Sequence, residues 1–538
     1  MTTLIPKFGL KNGTTTPAGA VNRPINQKLA EWVSVDDFGA DPTGVADSTT
    51  AIQNALTYAK YVIFPKGSTY LVNSTLTLKT GQAIDFTGAS LTANTGTTPL
   101  FQTTVAAENI RIEGGTVTGT CSWFLKAIGN TATPTSEADY VTRVWINNVF
   151  VNSDTVGGFV WMNKAARKFF ISNVLIYSSS GILSDGKAVE VFINNSFFYS
   201  PTAATNSYGI QLSSSGGGAY YNEGWQISNC SFFNFDICIR LFDIFAFICT
   251  NTWFEAGGAT KRSLSVEYPT TTTGVKDVVI SDFISATPMY LGSNTDMGVK
   301  ISEGTFTGVP SVAIDIGLDA GGVAISDIKF DGGTIGTGVG VRLRGGNALI
   351  AIDNIQCGNP YDTYVNAVQV LGTTSVIITC RNITHFGSSA AVYAESPVVY
   401  NGVLLSNAAD FTSNPACAPA RYNTADLQGS YAVGANIASL TISTAQGETG
   451  WIVVNISATG MNATTQRLTV NTPTGIVVPN GTGWAANNII PNAVSGIISL
   501  RIPYYCTAPQ VNGVMTLTNS AGNTIGIDYH SYFGIVRW

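Results

Sequence analysis

Hydrolysis of a glycosidic bond needs two carboxyl groups. One is protonated and releases the leaving oxygen, the other attacks the sugar or activates water, and their separation selects the stereochemical course. In this 538-residue chain the acids placed for that work are Asp236, Asp243, Glu255, Glu267 and Asp315. Glu255 stands first, in "TWFEAGG", because Trp253 and Phe254 would surround it with apolar material able to raise its pKa toward that of a general acid. Its plain alternative is a surface glutamate closing a turn. Asp236, Glu267 and Asp315 compete for the partner role, each against the alternative of a solvated acid at a strand end. A loop or a second chain is a further source of the partner.

Such a set works only if residues far apart in order become neighbours, and a recurring phrase supplies the means. It reads "VWINNVFV", "FFISNVLIY", "VFINNSFFY", "WQISNCSFF", "VVISDFIS", "VKISEGTF" and "VAISDIKF". Aligned on isoleucine, the copies fall at Ile112, Ile146, Ile171, Ile193, Ile227, Ile248, Ile280, Ile301, Ile325, Ile352 and Ile378, about 21 to 34 residues apart, which is solenoid spacing. Within a copy the order is Ile, a polar residue, Asn or Asp, two variable residues, then Phe or an aliphatic, as in Ile193, Asn195 and Phe198. Asn and Asp turn the chain readily. A second, alternating phrase follows: "GIQLS", "CIRLF", "PMYLG", "AIDIG", "GVRLRG", "AVQVLG". No helix-length apolar pattern separates the two, so successive units coil directly on one another as a parallel β-helix. The rungs stack ~4.8 Å apart, with interior columns of Ile, Phe, Val and Leu. A pair of β-sandwiches would also give short strands, but not the in-phase spacing.

The repeat assigns faces. After each interior Phe-type position the next side chain points outward, giving one exterior column of Tyr177, Tyr199, Phe233, Glu255, Thr307 and Asp331. The second strand gives another: Trp161, Gln211, Arg240, Ser265, Tyr290, Asp315, Arg342, Gln369 and Tyr393. Sugar rings stack their C–H faces on aromatic faces, so Trp161, Tyr177, Tyr199, Phe233, Arg240, Tyr290 and Arg342 are the expected substrate-binding residues. The alternative for each is an aromatic covered by a loop or a second chain. Carboxylates on adjacent rungs would lie roughly 5 Å apart and two rungs apart ~10 Å, which spans retaining and inverting geometries.

Composition narrows the partners. Charged residues are 11% of the chain, Gly numbers 56, and the formal net charge is -6, so a nucleic-acid backbone is not the expected partner. Eight scattered cysteines without a C-x-x-C pair, and only two histidines, predict no zinc site, no other metal and no cofactor. The start, "MTTLIPKFGLKNGTTTPAG", lacks the pattern of a signal peptide, which predicts folding in a reducing cytoplasm with free thiols. The most apolar window, "ICIRLFDIFAFICT", is short and carries Arg240 and Asp243, so no membrane insertion is expected.

The ends need caps. "DSTTAIQNALTYAK" offers Asp47 as N-cap and Ala51, Ile52, Ala55, Leu56 and Ala59 on one face, an amphipathic helix that would cap the first rung. After about Asn401 the phrase stops, and the alternating segments through "GIDYHSYFGIVRW" predict an antiparallel β-sandwich. The expected division is residues 1–30 as an N-terminal segment, 31–404 as the β-helix and 405–538 as the C-terminal domain.

"VSVDDFGADPTGVADSTTAIQNAL" followed by "VIFPKGSTYLV" resembles the opening of the pectate-lyase-like right-handed β-helix superfamily, especially bacteriophage tailspikes and capsule depolymerases. Asp37, Phe38, Gly39 and Ala40 fit the opening motif, Asp47 and the Ala51 to Gln53 run its helix, and Pro65 and Gly67 the turn after the first strand. "NRPINQKLAEW" is similar to the neck that precedes the β-helix. The resemblance implies a right-handed solenoid that binds and hydrolyses a bacterial surface polysaccharide, capsule or O-antigen. It further implies a homotrimer, a C-terminal domain that clamps chains together or binds sugar, and a place in the virion with the N-terminus docked on a phage tail or baseplate protein. A polysaccharide lyase of the same fold is the alternative, kept open by Arg240 and Arg342. A non-catalytic glycan-binding fibre or adhesin is the rival from another class.

Overall fold

The structure is a computed structural model that describes residues 7–8, 23–24, 32–152, 156–212, 222–242, 244–257, 260–267, 275–292, 298–308, 311–317, 322–331, 338–344, 349–358, 364–371, 378–385, 391–394, 398–400, 403–405, 421–423, 429–444, 449–459, 467–478, 484–485, 488–489, 497–508, 510–527 and 532–537. Its contacts divide the chain into two units, Met1–Lys300 and Ile301–Trp538.

In the first unit a typical rung is a long strand, a sharp bend, a short strand and a third strand, as in Lys187–Asn194, Phe197–Tyr199 and Tyr208–Leu212. Each strand pairs in parallel with its counterpart one rung away. The isoleucine file runs Ile112, Ile146, Ile171, Ile193, Ile227, Cys249, Ile280, all buried. Ile248 is therefore out of phase with the expectation. It points outward at 39% exposure, and Cys249 takes the interior place as a small hydrophobe. Burial pushes that thiol up to about 12. A second file runs Val151, Ile176, Phe198, Phe232, Phe254. Its rings stack face to face, Phe198 on Phe232 at 5.0 Å and Phe232 on Phe254 at 5.9 Å. Full burial of one such side chain is worth about 2–3 kcal/mol.

The asparagine of the phrase makes the bend. Asn148, Asn173, Asn195 and Asn229 lie between long and short strands, and Asn251 takes the matching place within the continuous strand Ile244–Glu255, all with φ from 46 to 57°. That left-handed region costs an ordinary L-residue roughly 1–2 kcal/mol, and Asn tolerates it best after Gly. Side chains also pair across rungs, Asn251 Nδ2 donating to Asn229 Oδ1 at 2.5 Å.

At the start of the unit the helix Thr49–Tyr58 buries Ile52, Ala55 and Leu56. It packs against Val35–Phe38, Tyr61–Ile63 and Leu76–Leu78. The N-cap is Ser48, not Asp47; Asp47 sits one residue earlier and accepts from Thr49 N and Thr49 Oγ1. Asp41 accepts from Ala46 N, Thr43 Oγ1, Thr43 N and Val45 N, which hold its carboxyl at about 2. Those contacts explain why the opening motif is rich in Asp and Thr. Of the expected neck, Lys7–Phe8 pairs antiparallel with Arg23–Pro24, and the rest of residues 1–30 lies outside the described residues.

The second unit begins with the same parallel pattern. Ile325, Ile352 and Cys380 form one file, and Phe330, Cys357 and His385 another. Cys380, and not the expected Ile378, holds the isoleucine place; Ile378 pairs with Ile350 two residues earlier. The rungs end where Val398–Tyr400 turns back antiparallel onto Val403–Leu405. Beyond them lie two antiparallel sheets. One contains Thr449–Thr459, Ile497–Cys506 and Tyr532–Arg537, the other Asn436–Thr444, Arg467–Asn471 and Gln510–Ala521. Ile452, Val454 and Phe533 from the first share one core with Leu440, Leu468 and Leu517 from the second.

The bend ladder makes a direct prediction. Asn195→Ala should destabilise the protein by about 1 kcal/mol because alanine gains nothing from the left-handed region, whereas Asn195→Gly should stay within a few tenths. Guanidinium unfolding of the three proteins is the measurement, and equal midpoints for Ala and Gly would contradict it.

Candidate functional site

Because side chains alternate along a strand, each interior residue of the second file is followed by an outward one. Asn152, Tyr177, Tyr199, Phe233 and Glu255 accordingly stand in one register column. The other outward position of the same short strands gives Phe150, Leu175, Phe197, Ser231 and Trp253. The two columns interlock into one wall. Tyr177 and Tyr199 lie 5.2 Å apart and tilted by 52°, Phe197 and Phe233 5.3 Å apart, and Phe233 and Trp253 5.3 Å apart and tilted by 59°. Glu255 is the exposed end of its strand.

The expected apolar enclosure of Glu255 is not formed. Phe254 points into the interior stack, and Trp253 is 45% exposed at the wall. The pleat explains this, since consecutive side chains cannot both flank a third on one face.

Asp236 sits in the turn before Ile237–Leu241, almost wholly buried. It accepts from Asn206 N at 3.0 Å, Thr260 N at 2.5 Å and Thr260 Oγ1 at 3.0 Å. Burial raises its pKa, but the hydrogen bonds from Thr260 and Asn206 outweigh it and hold the carboxyl below its ordinary value. Asp236 thereby ties the loop after Tyr199 to the loop after Glu255. Sequence reading took it as a possible acid, because nothing in the order of residues shows those backbone donors.

The other outward column of this unit runs Trp161, Leu183, Gln211, Arg240, Ser265, Tyr290. Glu267, just beyond Arg262–Val266, accepts from Arg240 Nη2 at 2.6 Å and Ser265 Oγ at 2.8 Å, with Arg262 Nη1 at 3.9 Å. Arg240 lies over Phe242, 4.5 Å from the ring centre, and Arg262 over Tyr290 at 4.1 Å. Ser265 is fully buried beneath these groups although its position faces outward. Glu255, Asp236 and Glu267 are thus not register neighbours: Asp236 shares the Glu255 corner, and Glu267 lies on the third strand.

In the second unit Asp315, Arg342, Gln369 and Tyr393 form a column. Arg342 and Arg344 each make two hydrogen bonds to Asp315. Burial raises its pKa, but both guanidinium groups more than offset this and hold the carboxyl below its usual range. Asp243 lies outside the described residues. Among the described residues no group of three or more His, Cys, Asp and Glu is disposed to hold a metal ion.

One aromatic set escaped the sequence reading. Trp145, Phe170 and Phe192 form an outward column on the long strands, nearly parallel and stacked at 5.6 and 5.2 Å. The signal was present in "VWINN", "FFISN" and "VFINN", where the residue before each isoleucine is aromatic.

Residues 32–259 match the family described as rhamnogalacturonase A/epimerase, pectate lyase-like. The tailspike protein of E. coli bacteriophage HK620, solved in complex with a pentasaccharide, is similar in fold over 95% of this chain and 97% of its own, with 12% sequence identity and a TM-score of 0.52. The alpha-1,3-galactosidase A of Streptomyces avermitilis is 44% identical over 69 residues, 11% of this chain and 10% of that protein. The match thus spans about a tenth of the length of that curated relative.

The doubly gripped Asp315 carries a pH-dependent prediction. Asp315→Asn leaves two guanidinium groups without their anion and should cost about 2 kcal/mol at pH 7. Since the folded pKa is depressed, the native advantage is full above the unfolded carboxylate value of about 4 and is lost as pH falls from there through the lower folded pKa. Unfolding of both proteins from pH 7 to pH 3 should show the gap closing; a constant gap would contradict it.

Proposed function

From a pectate-lyase-like right-handed β-solenoid with the fold of a phage tailspike, we propose that this chain is a tailspike that binds and depolymerises a bacterial surface polysaccharide, capsule or O-antigen, by glycoside hydrolysis. The observation that carries the reading is the register column of Tyr177, Tyr199 and Phe233 leading to Glu255. Tilted rings keep faces open for sugar C–H groups, and the column directs the polymer toward a carboxyl group. Glu255 is the acid that protonates the leaving oxygen. Glu267 lies on the third strand, is not a register neighbour of Glu255, and holds Arg240 and Ser265 in place. The partner carboxylate that acts on water or the sugar therefore comes from a loop or a second chain. Asp236 anchors the loop after Glu255. Trp161, Arg240 and Tyr290 hold sugar units along the third strands. Asp315 and Arg342 hold them on the second unit, where Asp315, kept ionised by two guanidinium groups, has no proton to donate.

The rest of the reading follows the same assignment. Residues 1–30 dock on a phage tail or baseplate protein, 31–404 form the β-helix with its helix as cap, and 405–538 form a sandwich that clamps a homotrimer or binds sugar. The exposed Glu255, without an apolar enclosure, favours a second reading in which the wall binds glycan without cutting it.

The test is incubation of the purified protein with capsular polysaccharides and lipopolysaccharides from a panel of hosts. New reducing ends without ultraviolet absorbance of an unsaturated uronic acid are the expected result. Both signals together would mean a lyase, and binding with unchanged polymer a fibre. Glu255→Gln should lower turnover by about 10²-fold or more while affinity is retained; full activity in that variant would remove Glu255 from the mechanism.

A further inference from the structure

Three rungs from Arg240 on the same outward column stands Trp161, and the indole of Trp123, from the turn before Leu125–Ile128, lies beside it. Trp161 donates its Nε1 hydrogen to Asp185 Oδ2 at 2.8 Å. Asp185 is itself held by Asn163 Nδ2 at 2.9 Å and by Lys164 N at 3.1 Å. Trp123 rests on Gly158. A Cβ added there would meet its six-membered ring at 2.3 Å, so glycine alone permits that seat. The two rings stand 6.0 Å apart with their planes at 42°, which makes a wedge and not a closed stack. Lys126 Nζ sits over the Trp161 ring, 4.0 Å from its centre, so it covers part of one indole face and offers a donor there. Both indoles are half-buried.

Indole rings locked by a carboxylate and a glycine seat lose little freedom when a flat apolar face settles on them, which is the condition for binding a weakly attractive ligand. The C–H face of a pyranose is such a ligand, and its hydroxyls suit the ammonium of Lys126. Asp185 already accepts three hydrogen bonds, so the wedge carries no carboxyl group free for acid–base work. The register steps from Trp161 to Leu183, Gln211 and Arg240 set the distance to the Arg240–Glu267 pair at ~14 Å. A few linked sugars span that gap.

We infer that Trp123, Trp161 and Lys126 form a remote, non-catalytic subsite that grips a pyranose unit of an extended polysaccharide. The inference rests on the glycan-binding reading above. Its role is to hold long polymer, raising affinity without contributing to bond cleavage.

The test compares wild type with Trp123→Ala, Trp123→Phe, Gly158→Ala and, as a control on the stacked ladder, Trp145→Ala. The probes are capsular polysaccharides and lipopolysaccharide O-chains printed as a panel, together with short fragments of the polymer that binds. Trp123→Ala and Gly158→Ala should each weaken binding of polymer about tenfold or more and raise KM with kcat within twofold. Cleavage of the short fragments should not change, and Trp123→Phe should recover part of the affinity. Gly158→Ala removes no side chain and only displaces the indole, so its effect distinguishes loss of the seat from loss of the ring. Wild-type affinity in both variants, a fall in kcat at constant KM, or an equal loss in Trp145→Ala overturns the inference. Polymer bound through Trp123 but left uncut would overturn hydrolysis and uphold this subsite. Polymer cut equally by all variants would do the reverse. A wild-type protein that binds no member of the panel overturns both.

Discussion

Parallel strands stacked in register are the constraint on which the rest depends. The side-chain period along a strand is two, so a slip of one residue would turn every interior side chain outward and every exterior one inward. Ile193 on Ile227 and Phe198 on Phe232 fix the phase of their rungs by burial. Once that phase is fixed, Tyr199 has to stand on Phe233, and Phe233 on Glu255. The exterior columns are a consequence of the core. Any chemistry on the wall is therefore positioned by hydrophobic burial in residues that never touch a ligand.

The bends add a second constraint. A rung closes only if its chain turns within one or two residues, and the left-handed asparagines do this at small cost. Their polar side chains then pair between rungs, as Asn251 does with Asn229. Charge follows a similar economy. With charged residues so few, the acids of the candidate site are mostly committed: Glu267 to Arg240, Asp315 to Arg342 and Arg344, Asp236 to backbone amides. Glu255 differs in standing exposed on an aromatic wall.

Much of this was legible in the order of residues, and particular failures show the limit. The Ile to Phe spacing revealed the coil, and the outward residues from Tyr177 to Glu255 fell in the expected register, while Leu183 stands unforeseen between Trp161 and Gln211. Ile248 misled because the alignment followed residue type, whereas the strand alternates by position and lets cysteine fill an isoleucine site. Phe254 misled because adjacent side chains were read as neighbours in space, which the pleat forbids. Asp47 was read as the N-cap although Ser48 occupies that place, a difference of one residue that only backbone dihedrals decide. The fate of Asp236 was illegible because its partners are backbone donors from loops remote in order. No residue-type pattern encodes those.

Ring orientation separates two surfaces that composition would treat alike. Trp145, Phe170 and Phe192 lie within about 10° of parallel, so Phe170 spends both faces on its neighbours and Trp145 and Phe192 one each. That ladder satisfies itself. The pairs Tyr177–Tyr199, Phe233–Trp253 and Trp123–Trp161 are tilted and leave part of their ring faces open, although Phe233 stacks on Phe197 and Lys126 lies over Trp161. The attraction of a sugar C–H group for an aromatic depends on reaching the negative face of the ring. Tilted rings therefore leave more ring face open than a stacked ladder built from the same repeat, which is what the proposed glycan contact requires.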